Sequence, residues 1–197
     1  LFLLMKGGHR DLNSFPTRRS SDLVAAGSGG AILALNSGLT IHDTDFVSNH
    51  SLTTAEPYGG GAIYAESSQI NIFNSRFDSN ISNRNGGALD IRGGLVLLQT
   101  CSLIGNSTSH AGGSIFTTMN ANVFIYNSVF RDNLATYAGA INNYNGSTMT
   151  IVNSLLVRNN ATNHGGALHN HSASLTMTSC TVADNISATF GWGLSNT

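Results

Sequence analysis

Residues 60–80 read GGAIYAESSQINIFNSRFDSN: a glycine pair, an apolar residue, a run in which apolar and polar residues alternate, and a closing asparagine. The same phrase returns along the chain. The position after the glycine pair recurs at Ala31, Ala62, Ala88, Ser114, Ala140, Ala167 and, in weaker form, Gly193, in steps of 31, 26, 26, 26, 27 and 26 residues. The closing asparagine recurs at Asn49, Asn80, Asn106, Asn133, Asn159 and Asn185, in steps of 31, 26, 27, 26 and 26. Two independent markers keep one period, and a fixed period of about 20 to 50 residues is the signature of stacked repeats.

Four apolar columns turn the period into geometry. After the glycines stand Ile32, Ile63, Leu89, Ile115, Ile141 and Leu168; then Leu39, Ile70, Val96, Val123, Met149 and Leu175; two residues on, Ile41, Ile72, Leu98, Ile125, Ile151 and Met177. The fourth column is Phe46, Phe77, Leu103, Phe130, Leu156 and Val182. The two-residue step is a strand's alternation, and a helical period would scatter these positions round a cylinder. One unit of three short strands cannot bury its own apolar face, so the units must stack. The reading is an all-β parallel β-helix with six recognisable coils of about 26 residues and a partial seventh begun at Gly191. Glycines then mark bends where a Cβ would crowd the next coil, and the asparagine marks another bend where stacked carboxamides bond along the axis.

Charged residues are only 10% of the chain, against roughly 25% in ordinary domains, while Gly reaches 22 and Asn 23. A formal charge of −1 leaves no basic field for nucleic acid. Residues 1–23 hold four of the nine basic residues and none of the repeat. Within them SFPTRRSSDL, residues 14–23, resembles the translation of a sequencing-library adapter, so 1–23 is expected to be an artefact or disordered tail and 24–197 the β-helix domain. LFLLM at the start is shorter than a secretory h-region. Both ends read as artificial or cut, and the chain is expected to be a fragment.

GGAIY with FDSN, GGALD with LIGN, GGSIF with FRDN and GGALH with VADN resemble the GGA[ILV] and FxxN repeats of chlamydial polymorphic outer membrane proteins. The resemblance covers residues 29–196 and implies a right-handed β-helix, a hand that parallel crossovers also favour. It further implies an autotransporter passenger at the bacterial outer membrane or outside the cell, acting as an adhesin toward a host or neighbouring cell through a protein or glycan ligand. Membrane attachment would come only from an anchor domain beyond these coils. Leu103, Leu156 and Val182 replace the motif's Phe. The alternative from another class is a fragment of a polysaccharide-processing enzyme of pectate-lyase type.

That alternative needs facing carboxylates. Asp43 and Asp45 stack over Asn74 and Arg76, Asp90 stands between Tyr64 and Phe116, and Asp78 between Val47 and Ile104. Asp132, Arg158 and Asp184 share a column, which suits a surface ion-pair strip better than catalysis. His164, His169 and His171 fit no familiar metal spacing and read as solvated or packing side chains. The sequence therefore assigns no catalytic, cofactor or metal residue. The N-x-S/T triplets at Asn49, Asn80, Asn106 and Asn185 read as turn vocabulary rather than glycan acceptors. Three structural expectations complete the reading: the long loop 51–59 projects as a contact surface, Asp45 pairs laterally with Arg76, and Cys101 and Cys180 remain separate thiols. The two cysteines share a column but lie three coils, roughly 14 Å, apart, beyond the about 7 Å that a disulfide spans.

Overall fold

The computed structural model describes residues 21–197 throughout, preceded by the backbone of strands Leu3–Lys6, His9–Leu12 and Arg18–Ser21. The described residues form no helix, and every named strand pair is parallel. The chain winds as a solenoid of coils 1 (29–59), 2 (60–85), 3 (86–111), 4 (112–137), 5 (138–164), 6 (165–190) and 7 (from 191). Three sheets run along its axis. The first, of 13 strands, takes the two limbs that follow the glycine bend; the other two have 7 strands each and carry the short strands after it. In coils 2 and 3 the two limbs fuse into single strands, Ile63–Phe73 and Leu89–Gln99.

Register follows the apolar columns. Leu89 pairs with Ile63 on one side and Ile115 on the other, Val96 with Ile70 and Val123, and Phe77 with Phe46 and Leu103. These side chains form one continuous core in which Leu39, Ile72, Leu98, Val123 and Phe130 are fully buried. Phe46 and Phe77 stack at 4.7 Å, close to the inter-strand repeat.

The closing asparagines form a buried ladder. Each donates Nδ2–H to the Oδ1 of the next coil, from Asn49 to Asn185, at 2.8 to 3.1 Å. The same Oδ1 accepts the previous coil's asparagine backbone N–H, as from Asn80 to Asn106 at 3.0 Å. A second Nδ2 hydrogen bond goes to the fourth-column carbonyl of the previous coil, as from Asn80 to Phe46 at 3.0 Å. In Asn80, Asn106, Asn133 and Asn159 both amide hydrogens are engaged, which offsets the cost of burying them. The small residue two places before the fourth column works similarly: Ser128 Oγ donates to Tyr126 O at 2.8 Å and accepts the Cys101 N–H at 3.1 Å. Cys101 and Cys180 occupy this column as free thiols.

Two expectations are corrected. The ladder does not begin at Val24: Leu3–Lys6, His9–Leu12 and Arg18–Ser21 pair with Ile32–Leu35, Gly38–His42 and Thr44–Val47. The first coil of a solenoid presents a row of unpaired N–H and C=O groups, which an adjoining segment satisfies by adding a strand. Residues 13–17, of which 14–17 open the adapter-like stretch, lie outside the described residues. Asp45 and Arg76 share a register as expected, yet Arg76 turns along its own strand to Asp78, two residues away on the same face.

Candidate functional site: a lateral groove

In the first limb of each coil the residue after the first apolar column points away from the core. Tyr64, Asp90, Phe116, Asn142 and His169 stack there in register. An outward position on a sheet is ordinarily solvated, but these five are at most 8% exposed. They are the floor of a groove along the solenoid axis. One rim is the column two residues on, which includes Arg92, Tyr144 and His171; the other is the approach to the glycine bend, with Asn85, His110, Tyr137 and His164. A cavity of about 350 Å³ opens over coils 3 to 6 between Phe116, Asn142 and His169 below and Tyr137, Tyr144 and His171 at the sides. A second hollow of about 420 Å³ lies over coils 1 and 2, against Leu33, Leu35, Tyr58 and Tyr64.

Rings run along both sides of the groove. On one side the floor residue Phe116 is followed by the stacked pair Tyr144 and His171, at 6.2 and 5.2 Å. On the other, His110, Tyr137, His164 and Phe190 follow each other at 5.8, 5.9 and 5.4 Å. His169 sits between the ladders, 6.0 Å from His164 and 5.6 Å from His171. Burial, together with the neighbouring His171 and His164, pushes the His169 pKa down and favours the neutral ring. Burial, with Arg84 nearby, does the same to His110.

The charged end of the groove is closed by the long loop of coil 1. That loop bends back across the groove instead of projecting. Glu56 Oε1 accepts from Arg84 Nε and Nη2 at 2.8 and 2.6 Å, and its Oε2 accepts from Arg92 Nη2 at 3.1 Å. One carboxylate thus ties Arg84 of coil 2 to Arg92 of coil 3. Partial burial raises the Glu56 pKa, but the Arg84 hydrogen bond and the charge of Arg92 outweigh it and leave the carboxyl below its usual value. Asp90, beneath Gly59 of the same loop, behaves oppositely: complete burial pushes its pKa up to about 7 despite Arg92. Arg92 Nε lies 3.2 Å from Asp90 Oδ1 but out of hydrogen-bonding line, so the pair attracts without satisfying either atom. Arg92 also lies over the Phe116 ring, 5.5 Å from its centre.

Three floor residues carry a buried polar atom with no hydrogen-bond partner: Asp90 Oδ1, Asn142 Oδ1 and His169 Nδ1. Such atoms are rare in folded proteins; Asn142 and His169 line the cavity, whereas Asp90 lies under the Gly59 loop with Oδ1 in ion contact with Arg92.

The structure separates the other candidates. Arg158 makes a bidentate pair with Asp132 at 2.8 and 3.0 Å on an exposed bend, and its hydrogen bond lowers the Asp132 pKa. Asp43, Asp45 and Asp78 do not line the groove cavity. His169 and His171 do line it, with His164 beside His169, but no three His, Cys, Asp or Glu among the described residues are placed to hold a metal ion. The amides of Asn49, Asn80, Asn106 and Asn185 are inside the ladder, unavailable to a glycosylating enzyme. Sequence reasoning missed the Glu56, Arg84, Arg92 and Asp90 cluster. Its signal was Glu56 in the one long loop and three of the five later arginines in coils 2 and 3.

Comparison with known proteins adds the following. The profile of the family described as right handed beta helix region matches residues 27–196. A Dictyostelium discoideum protein named metabotropic glutamate receptor-like protein R is 32% identical over 133 residues, which cover 68% of this chain and 8% of that relative's length. No solved structure matches.

Proposed function

We propose, from the premise that this chain belongs to the right-handed beta-helix family, that it is a secreted or cell-surface binding scaffold of the adhesin or autotransporter-passenger type. The groove is its contact surface. The observation that carries the reading is the cavity between aromatic side chains, with Asn142 and His169 on its floor each holding a polar atom without a hydrogen-bond partner, because a mostly preformed cleft with few convergent polar groups is the usual form of a ligand site. The receptor-like name of the Dictyostelium relative agrees with a place at the cell surface. Cleavage of a polysaccharide at this groove is disfavoured, since Glu56 is tied to two arginines and Asp90 is wholly buried, which leaves no open pair of carboxylates.

The test is adhesion of beads coated with the chain to cells or immobilised matrix. Tyr137→Ala with Tyr144→Ala should abolish attachment, while Arg131→Ala with Arg158→Ala on another wall should leave it unchanged. Equal attachment by both double variants would refute the groove as the contact surface.

A further inference from the structure

Residues 52–58 differ from the rest of the repeat in how little holds them. None of them is buried, whereas Ser51 and Gly59 at the two ends are. Ser51 is fixed in the strand His50–Ser51, and the Gly59 carbonyl accepts the Gly29 N–H at 3.0 Å. Leu52 is tied through its N–H to Ala25 O at 2.9 Å and through its carbonyl to Asn83 Nδ2 at 3.1 Å. Beyond it the backbone turns on itself, with Ala55 N–H donating to Thr53 Oγ1 at 3.2 Å and Tyr58 N–H to Ala55 O at 3.1 Å. Every hydrogen bond from residues 53–58 to another described residue is made by one group, the Glu56 carboxylate, which accepts from Arg84, Asn85 and Arg92.

That carboxylate bridges the groove. Arg84 and Asn85 stand on the side of the glycine-bend approach and Arg92 on the opposite rim, with the floor between them. Under the bridge the floor residues Tyr64 and Asp90 are 0% exposed, while Phe116, Asn142 and His169 in the open groove keep 4 to 8%. The Tyr58 ring lies 6.1 Å from the Tyr64 ring. Glu56 lines the hollow over coils 3 to 6 and Tyr58 the hollow over coils 1 and 2, so one short segment divides the two. The floor itself is continuous through both, since Leu33, Tyr64, Asp90 and Phe116 pair in series. An exposed, sparsely bonded segment between fixed ends costs little to open locally. Its attachment is an ion pair whose carboxylate side chain is 50% exposed, and salt screens such a pair.

We infer that residues 53–58 are a strap over the groove, latched by Glu56 and opening about Leu52 and Gly59, whose release uncovers Tyr64 and Asp90 and joins the two hollows into one groove. The strap then sets how much of the groove a partner can reach; that consequence rests on the groove being the contact surface, and the strap itself does not. The test is hydroxyl-radical footprinting of the full chain, with oxidation of each residue read by mass spectrometry against that of Phe190, which is 70% exposed. In wild type, Tyr64 should be protected at about 50 mM salt and more oxidised at about 500 mM. Glu56→Ala should oxidise Tyr64 about fivefold faster than wild type at low salt and lose the salt response, with Glu56→Gln between the two. Phe77, fully buried in the core, should stay protected throughout, which separates strap opening from unfolding. Arg158→Gln breaks another exposed ion pair and should leave Tyr64 as in wild type. Equal protection of Tyr64 in wild type and Glu56→Ala, or oxidation of Phe77 rising with that of Tyr64, would overturn the inference. These readings need no ligand, so failure of the groove as contact surface shows separately, in unchanged attachment of the Tyr137→Ala, Tyr144→Ala variant.

Discussion

Asp90 shows how one residue's chemistry is set by distant parts of the chain. Its neighbours in register, Tyr64 and Phe116, and Gly59 of the long loop strip it of water, and its pKa rises to about 7. An unfolded aspartate titrates near 3.9, so the folded chain holds a proton that the unfolded chain releases. The resulting stability is complete below about pH 4 and is lost as pH rises through about 7. His110 and His169 act in the other direction: their lowered pKa values cost stability as pH falls below the usual histidine value, about 6.5. We predict that wild type gains melting temperature relative to Asp90→Asn as pH falls from about 8 to 5. Parallel melting profiles would show that the proton is not held. The cysteines give a second residue-scale outcome. Burial pushes the Cys101 thiol up to about 11, whereas Cys180 is only partly buried. In the native protein a thiol reagent should modify Cys180 first and Cys101 only on unfolding, with two thiols titrated after denaturation without reductant. The common thiol column was legible in the sequence, since Ser and Thr fill its other places. The Asp90 environment was not, because it depends on a loop that has no counterpart in the other coils.

At the scale of the coil, stacking dictates the sequence more strongly than local propensity does. A Cβ on Gly113 would run into the carbonyl oxygen of Gly139 in the next coil, with Leu134 N at 2.9 Å. The equivalent place in coil 7 is Trp192, which is 71% exposed, and no described coil stacks upon it. Gly113→Ala is therefore expected to destabilise by about 2 to 4 kcal/mol, as backbone overpacking does. Trp192→Ala should change stability by less than about 1 kcal/mol, as surface substitutions do. Chemical denaturation of the two variants checks the contrast, and similar losses would mean that the bend is not where the coils press together. The apolar columns and this glycine were readable because every coil repeats the same demand. Two further bends were less visible because their left-handed residues are rarely glycine: Asn74, Asn127 and Asn153 at one, Ser79, Asp132 and Arg158 at the other. An interior polar column was also missed. Thr117, Asn143, Asn170 and Asn196 bond in series at 2.7 to 2.8 Å, at inward positions held by Ala34, Ala65 and Ile91 in earlier coils. Asparagine was so common at the bends that its second role within the core gave no separate signal.

For the whole molecule, a solenoid is a sum of like units joined by like interfaces, so its stability depends on register more than on the number of residues. Residues 112–137 are one complete coil, and removing them joins Ala111 to Ala138 at the same point of the bend. In the shortened chain Leu89 would meet Ile141, Val96 would meet Met149, and the asparagine ladder would run from Asn106 to Asn159, all like on like. The interior amide column would lose Thr117 and the groove floor would lose Phe116, both local changes. Deleting Phe124 alone has the opposite character. It lies inside Asn122–Tyr126 between Val123 and Ile125, which are both fully buried, and its loss breaks their two-residue alternation. A one-residue slip carries core side chains to the solvent face, and the paired strands Leu89–Gln99 and Thr148–Val152 allow no compensating shift. Excision of 26 residues is thus expected to leave a cooperatively folded β protein with a modestly lower melting temperature, while deletion of one residue should cost far more. Circular dichroism melts of the two proteins decide it. A shortened chain that fails to fold while the Phe124 deletion folds normally would mean that the coils are not interchangeable units.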